Sequence, residues 1–324
     1  MNRNVIGFCL LLSFHCAVPA GETLYNGIVL PDEWPPRDVK FEQFLRGDPP
    51  PKSPYLVSPP KVIPIDVGRQ LFVDDFLIEE MTLKRTFHRP QYYEHNPILK
   101  PEHSYESHSR LGPAVMPFSG GVFWDPMEQV FKMWHMAGYG YNGALSISKD
   151  GLHWEKPDWG YRKRTNLIKI PNNELHGVWL DLEEHDPARR YKMVWHRSGD
   201  YSAAVSGDGI YRNVLGKLGR SGDRCSLGYN PFRKVWIYSL RHGWGRPRAR
   251  RYAESSVFGD ANWFNNPPPF WTGADRLDGM RPELKTPPQL YNLDCAGYES
   301  LMIGLFTIYR GNPFDDGDRP DALS

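Results

Sequence analysis

Apolar and polar positions alternate along this chain in short runs broken by turn residues. The clearest case is Gly121 to Pro157, GVFWDPMEQVFKMWHMAGYGYNGALSISKDGLHWEKP. It predicts three strands. Gly121–Trp124 ends in an Asp125-Pro126 turn, and Val130–His135 returns with aromatic and β-branched residues. After a Gly138–Gly143 loop comes Ala144–Ser148, closed by Lys149-Asp150-Gly151 and Trp154. Asx-Pro and Asp-Gly turns between such runs mark β-hairpins. A lone antiparallel sheet of this size leaves its faces bare, so it needs neighbours.

The neighbours follow in sequence. His185–Arg190 (HDPARR) leads into Tyr191–His196 (YKMVWH), and Val205–Ile210 (VSGDGI) repeats the Asp-Gly closure. A worn third copy has Asn230-Pro231 before Val235–Ser239 and closes near Ala253–Trp263. The turn prolines at 126, 187 and 231 set an irregular period of roughly 40 to 60 residues, the spacing of propeller blades with variable loops. No long stretch carries a 3.6-residue apolar period, so few helices are expected. The prediction is an all-β fold.

Composition narrows the class. The 324 residues include 30 glycines and 30 prolines, too many for a helical protein. A formal net charge of +1 provides no global field to attract nucleic acid or a membrane surface. Residues 1–20 read as a signal peptide: Arg3, the apolar run Val5–Ala17, then Val18-Pro19-Ala20 as a cleavage site. A secreted or periplasmic protein is expected, cleaved after Ala20. The run is short for a membrane span. Cys9 and Cys16 leave with the signal, and Cys225 and Cys295 then either pair or stay as two free thiols. Residues 21–64 form a proline-rich leader, with Trp34, Phe41, Phe44 and Leu45 available for docking; 65–324 form the main domain. Gln70–Glu79 is the first expected strand. Its Asp74-Asp75 pair either caps a turn or turns a carboxylate toward the central channel.

Three features together resemble a known superfamily: the His95–Pro101 phrase (HNPILKP), the Asp-Pro hairpins leading into Lys-Met, and the Ser-Lys-Asp-Gly closure with its Trp. The chain resembles, from about Gln70 to Arg319, the five-bladed β-propeller glycoside hydrolases of families 32, 43, 68 and 130, especially secreted bacterial proteins described as family-32-like. The resemblance implies a five-bladed propeller that is incomplete here, with about three and a half blades present and the C-terminal part missing. Such a ring exposes two sheet edges. The family-32 phrase W-M-N-D-P-N-G is absent. Trp124-Asp125-Pro126 sits at the far end of a strand, and Asp125 reads as a turn residue like Asp186 and Asn230.

The implied function is that of a glycoside hydrolase-like protein acting on plant or algal poly- or oligosaccharide. The alternative is a non-catalytic carbohydrate-binding propeller or an inactive enzyme remnant. Hydrolysis needs two carboxyl groups facing each other across the sugar, one ionised and one protonated. In a propeller they stand on the innermost strands, predicted here to begin at Leu175, Gly222 and Tyr291. Glu299, beside Tyr298 and before the apolar Leu301–Tyr309, is the candidate acid, because desolvation there would raise its pKa. Asp223, flanked by Arg220 and Arg224, and Asp181 are the candidate partners. Asp181 alternatively belongs to the acidic hairpin Asp181–Asp186. Glu106 and Asp75 are reserves.

Glu106, Arg110, His176, Trp179, Arg224, Arg241 and Tyr298 are candidate substrate contacts, by aromatic stacking or guanidinium forks. Trp134, Trp154 and Trp195 recur from blade to blade and read as core. The run Arg246–Arg251 (RPRARR) reads as a solvated strand, with recognition of an anionic polysaccharide as its functional alternative. No cofactor or metal is expected: His103 and His108 lack ligand spacing, and H-E-x-x-H, G-x-S-x-G and P-loop motifs do not occur.

Overall fold

The computed structural model describes residues 21–310 except 32, 36–39, 47, 50, 51, 53, 67, 108–111, 118, 120, 141, 170–174, 243–246 and 283–286. The expected signal peptide, the end of the chain and Arg110 lie outside the described residues, as does the side chain of His176. Helix is confined to α1 (Phe41–Leu45), α2 (Pro54–Val57) and two single 3-10 turns among the described residues.

Everything else that is regular is antiparallel sheet. The first sheet holds β1 (Val115–Met116), β2 (Val122–Asp125), β3 (Val130–Ala137), β4 (Asn142–Ser148) and β5 (Trp154–Glu155), with β1 and β2 sharing one edge of β3. The second runs β6 (Leu175–Leu180), β7 (Tyr191–Arg197), β8 (Asp200–Ser206), β9 (Asn213–Arg220). The third runs β10 (Ser226–Asn230), β11 (Val235–His242), β12 (Ala249–Ser255), β13 (Phe270–Gly273). A two-stranded sheet follows, β14 (Gln289–Tyr298) and β15 (Leu301–Tyr309).

Turn chemistry repeats with the strands. Ser148 Oγ accepts from Gly151 N at 2.9 Å and bonds Asp150 at 3.0 Å; Ser206 does the same with Gly209 N (2.9 Å) and Asp208 (3.0 Å). In both copies the aspartate then accepts from the next two backbone N–H groups. Gly151 and Gly209 adopt φ of +77° and +78°, where a side chain would be strained. These closures hold each outer edge to a fixed length.

The sheets stack face to face. Trp134 and Leu145 of the first pack on Val178, Tyr191 and Met193 of the second. Val194, Tyr201 and Leu218 of the second pack on Trp236, Tyr238 and Leu240 of the third. Trp134 lies fully buried, and its indole N–H donates to Gly209 O at 3.0 Å.

The first strands meanwhile lie side by side and run in the same direction. A Cβ on Gly177 of β6 would meet Leu227 of β10, and one on Gly228 of β10 would meet Cys295 of β14. Ser226 Oγ donates to Leu293 O at 2.6 Å, and Arg224 Nε to the Tyr291 hydroxyl at 3.0 Å. The offset between β10 and β14 stays constant along this contact. Consecutive sheets with parallel innermost strands about a common axis are the blades of a β-propeller.

Several expectations need correction, and the alternatives left open at Asp74-Asp75 and at the two cysteines are decided. Gln70–Glu79 forms bends and turns rather than a strand. Asp74 caps the turn by accepting from Phe76 N at 3.0 Å, and Asp75 is exposed and paired with Arg85 at 2.6 Å, so neither faces a channel. The third inner strand begins at Ser226 rather than Gly222, because Arg224 takes φ of +59° and breaks the extended run. Trp154 is half-buried, unlike Trp134 and Trp195. Cys225 and Cys295 are free thiols.

Candidate functional site

Parallel inner strands give the molecule two distinct ends: an entry end, where they begin, and an exit end, where they turn into their hairpins. The two ends hold different chemistry.

The exit end is occupied by structural ion pairs. Asp125, at the end of β2, is fully buried. It accepts from the Tyr191 hydroxyl at 2.6 Å, from Arg190 at 3.0 Å and from Met127 N at 3.0 Å, with Lys132 at 3.3 Å. Burial alone would raise its pKa, but these donors hold it far below the carboxylate range. Lys132 also pairs with Glu128 at 2.5 Å.

The second sheet repeats the arrangement. Asp181 accepts from Glu183 N at 3.1 Å and lies 3.3 Å from buried Lys192, which pairs with Glu184 at 2.5 Å. Asp181 is therefore the counterpart of Asp125 in a repeated clamp and belongs to the acidic hairpin.

Glu299 lies in the β14–β15 turn with φ of +51°. It bonds Arg69, just beyond the leader, at 2.5 Å. The Arg69 hydrogen bonds lower its pKa, whereas the acid role called for a raised one. Exposed Tyr298 stands next to it. The physical reason is the two-residue turn: it projects both side chains outward, to where the chain passes at Arg69, instead of into an apolar pocket.

The entry end is different. Asp223 precedes β10 and pairs with Arg241 at the end of β11, with Arg248 4.0 Å away. Burial pushes its pKa up, but Arg241 and Arg248 more than offset that, and the carboxyl is held low. Arg224 is buried between two phenols, donating to the hydroxyls of Tyr139 and Tyr291. Its guanidinium lies 5.6 Å from each ring centroid, and Arg248 lies 4.4 Å from that of Tyr291. Asn292 donates to Asp294 at 2.9 Å on the same stretch of β14. The sheet beneath is stapled by fully buried Arg250, which donates to Ser239 O, Arg224 O and Tyr291 O at 2.7, 2.8 and 3.1 Å.

Of the three proposed carboxylates, only Asp223 stands at this end. Asp181 and Glu299 stand at the other, on the order of 20 Å away along β10 at about 3.3 Å per residue. Arg224, just before β10, and Arg241, near the end of β11, also stand at this end. Trp179 does not face substrate; it packs between Phe123 (5.6 Å) and Trp236 (6.3 Å) in the core. Glu106 is fully buried, pairs with Lys156 at 2.8 Å and caps the N–H groups of Glu102 and His103, a structural role. The arginine run is not a solvated face: Arg250 is buried, and Arg251 donates to Pro268 O at 2.7 Å and to His242 at 2.9 Å. Sequence reading missed Tyr139 and Tyr291; Arg248 was singled out only as part of the Arg246–Arg251 run. The glycine-flanked tyrosines of the Gly138–Gly143 loop were the available signal.

The fold and site define an all-β propeller whose entry-end mouth, between the first strands of its blades, carries arginines, tyrosines and the carboxylate of Asp223. Compared as a sequence, the chain matches no protein-family model and no curated protein. Compared as a structure, it is similar to a glycosyl hydrolase from Bacteroides ovatus, at 13% identity and a TM-score of 0.41, over 70% of this chain and 72% of that one. A second similar structure is described for the family-130 mannoside phosphorylases and hydrolases that target β-1,2-mannosidic linkages in Candida mannan. It has 14% identity and a TM-score of 0.39, over 70% and 72% of the two chains. A third is a fructofuranosidase from Schwanniomyces occidentalis, at 13% identity and a TM-score of 0.38, over 61% and 41%.

Proposed function

We propose that this protein is a glycoside hydrolase-like propeller that takes a plant or algal poly- or oligosaccharide at the entry-end mouth. The observation that carries the reading is the convergence of Asp223, Arg224, Arg241, Arg248, Tyr139 and Tyr291, from the first, third and fourth sheets, on one end of the inner strands. Tyrosine faces suit sugar rings, and guanidinium forks suit sugar oxygens. Asp223, kept ionised by its arginines, suits a base or a hydroxyl anchor.

One observation favours the binding-only alternative. Each carboxyl group with a resolved shift among the described residues is lowered, so none of these is poised as the protonated partner that hydrolysis needs.

A glycan panel assayed for both binding and reducing-end release separates the two readings. Asp223→Asn is expected to abolish release if the protein is an enzyme, and to weaken binding in either case. Unchanged binding and release in Asp223→Asn would remove the mouth as the site.

A further inference from the structure

The charge of the mouth points to a class of sugar. Arg224, Arg241 and Arg248 all act on one carboxylate, Asp223. Arg250, buried beside them, has Asp294 as its own acidic counterpart, so the positive excess remains.

The arginines are not equivalent. Arg241 is engaged by Asp223, and Arg224 is held by two phenol oxygens. The side chain of Arg248 is only 14% exposed, Asp223 comes no nearer than 4.0 Å, and Nε and Nη1 are buried without a hydrogen-bond acceptor. Its main chain is pinned to the start of β14: the N–H donates to Gln289 Oε1 and the carbonyl accepts from Leu290 N, both at 2.9 Å. The guanidinium is thus fixed against Tyr291, its Nε and Nη1 closed to solvent, and its charge reaches the cleft that Arg248 lines. A carboxylate or sulfate in that cleft meets an incompletely paired cation better than neutral hydroxyls do, since charge-assisted bonds are roughly twice as strong.

A cleft of about 320 Å³ opens beside it, between α1 and the segment after β13. Phe41 and Phe44 of α1 line it together with Arg46, Arg276 and Asp275. That volume suits a small-molecule site.

We propose that this cleft seats an anionic sugar, a uronate or a sulfated residue of a polysaccharide, with its acidic group on Arg248. The proposal rests on the carbohydrate reading above and narrows it.

The test measures binding of the full chain to polygalacturonate, carrageenan and neutral galactan, with free galacturonate and galactose as competitors. One anionic polymer should bind at least about tenfold more tightly than galactan, and raised salt should weaken it. The two anionic arms tell carboxylate from sulfate. Arg248→Gln should lose that about tenfold preference, and Arg248→Lys, which keeps the charge without the fork, should fall between.

If galactan binds equally well and Arg248→Gln changes nothing, the carbohydrate site survives and its anionic character does not. If anionic polymers bind but both variants match wild type, the attraction is diffuse charge and the assignment to Arg248 is overturned. If none of the glycans binds, the carbohydrate reading itself falls. Should Arg248→Gln fail to fold, the galacturonate and galactose competition on wild type still decides the class, and Arg248→Lys the position.

Discussion

The hydroxyl of Tyr191, on the second sheet, donates a 2.6 Å hydrogen bond to the carboxylate of Asp125 at the end of the first. The bond joins two blades at their exit end and completes a buried set with Arg190 and Lys132. A bond to a charged, water-free acceptor is worth more than a neutral one. Tyr191→Phe is expected to cost about 2 kcal/mol. Asp125→Ala, which leaves two cations without their buried anion, should cost about 3–5 kcal/mol. Urea unfolding of both variants measures this, and a cost for Asp125→Ala within error of zero would show that the clamp is not stabilising.

Acid should weaken the fold in two stages. His135 is buried, and burial lowers its pKa to about 4 from 6.5, so the folded state prefers it neutral. The unfolded chain then binds more protons below pH 6.5, and stability falls from there toward pH 4. Glu184 is lowered from 4.5 to about 2 by its hydrogen bond with Lys192, so its contribution is present above pH 4.5 and is lost as pH falls toward 2. Asp125, lowered further, extends the loss in the same direction. Denaturation midpoints between pH 8 and 2 read the profile. His135→Gln should flatten only the upper limb and Glu184→Gln only the lower.

Glu299→Gln should leave glycan binding at the wild-type level, because Glu299 sits at the exit end beside Arg69. Asp223→Asn in parallel should reduce it. A drop in glycan binding with Glu299→Gln, in protein of unchanged thermal stability, would move the site to the exit end.

Gly209 has φ of +78°, and a Cβ there would sit 2.7 Å from Trp134 Cζ2. Trp134 is fully buried and cannot retreat. Gly209→Ala should therefore destabilise by about 1–3 kcal/mol through overpacking, with backbone strain adding to it. Gly140→Ala is the comparison: its φ of +65° carries similar strain with no atom near the added methyl. Equal losses in the two would assign the effect to the backbone alone.

Reductant should not shift the unfolding transition, because Cys225 and Cys295 are free. Burial raises the Cys295 thiol to about 12, so thiol reagents should modify the folded protein slowly and the denatured chain fast. Rapid labelling of Cys225 in native protein would contradict its full burial.

Much of the fold was legible because hairpins are local. The Leu301–Tyr309 run became β15 with those bounds, and the Asp-Pro and Asp-Gly turns fell between paired strands in the first two sheets. Turn residues act over a few positions, and a period-2 pattern states which side chains share a face. The site was less legible. Glu299 looked desolvated from its neighbours in sequence, yet its partner, Arg69, lies 230 residues away. Arg250 looked like surface charge, yet β12 runs between β11 and β13 and folds it beneath Tyr291.

The amino-acid pattern thus settled by itself where the hairpins turn and that the sheets repeat, since each of these depends on residues within a few positions of one another. Only the tertiary structure decided which end of the inner strands each carboxylate occupies and whether burial or a cation governs its proton. Those outcomes depend on charges brought together from separate sheets, whose Coulomb interactions act through space and leave no trace in sequence order.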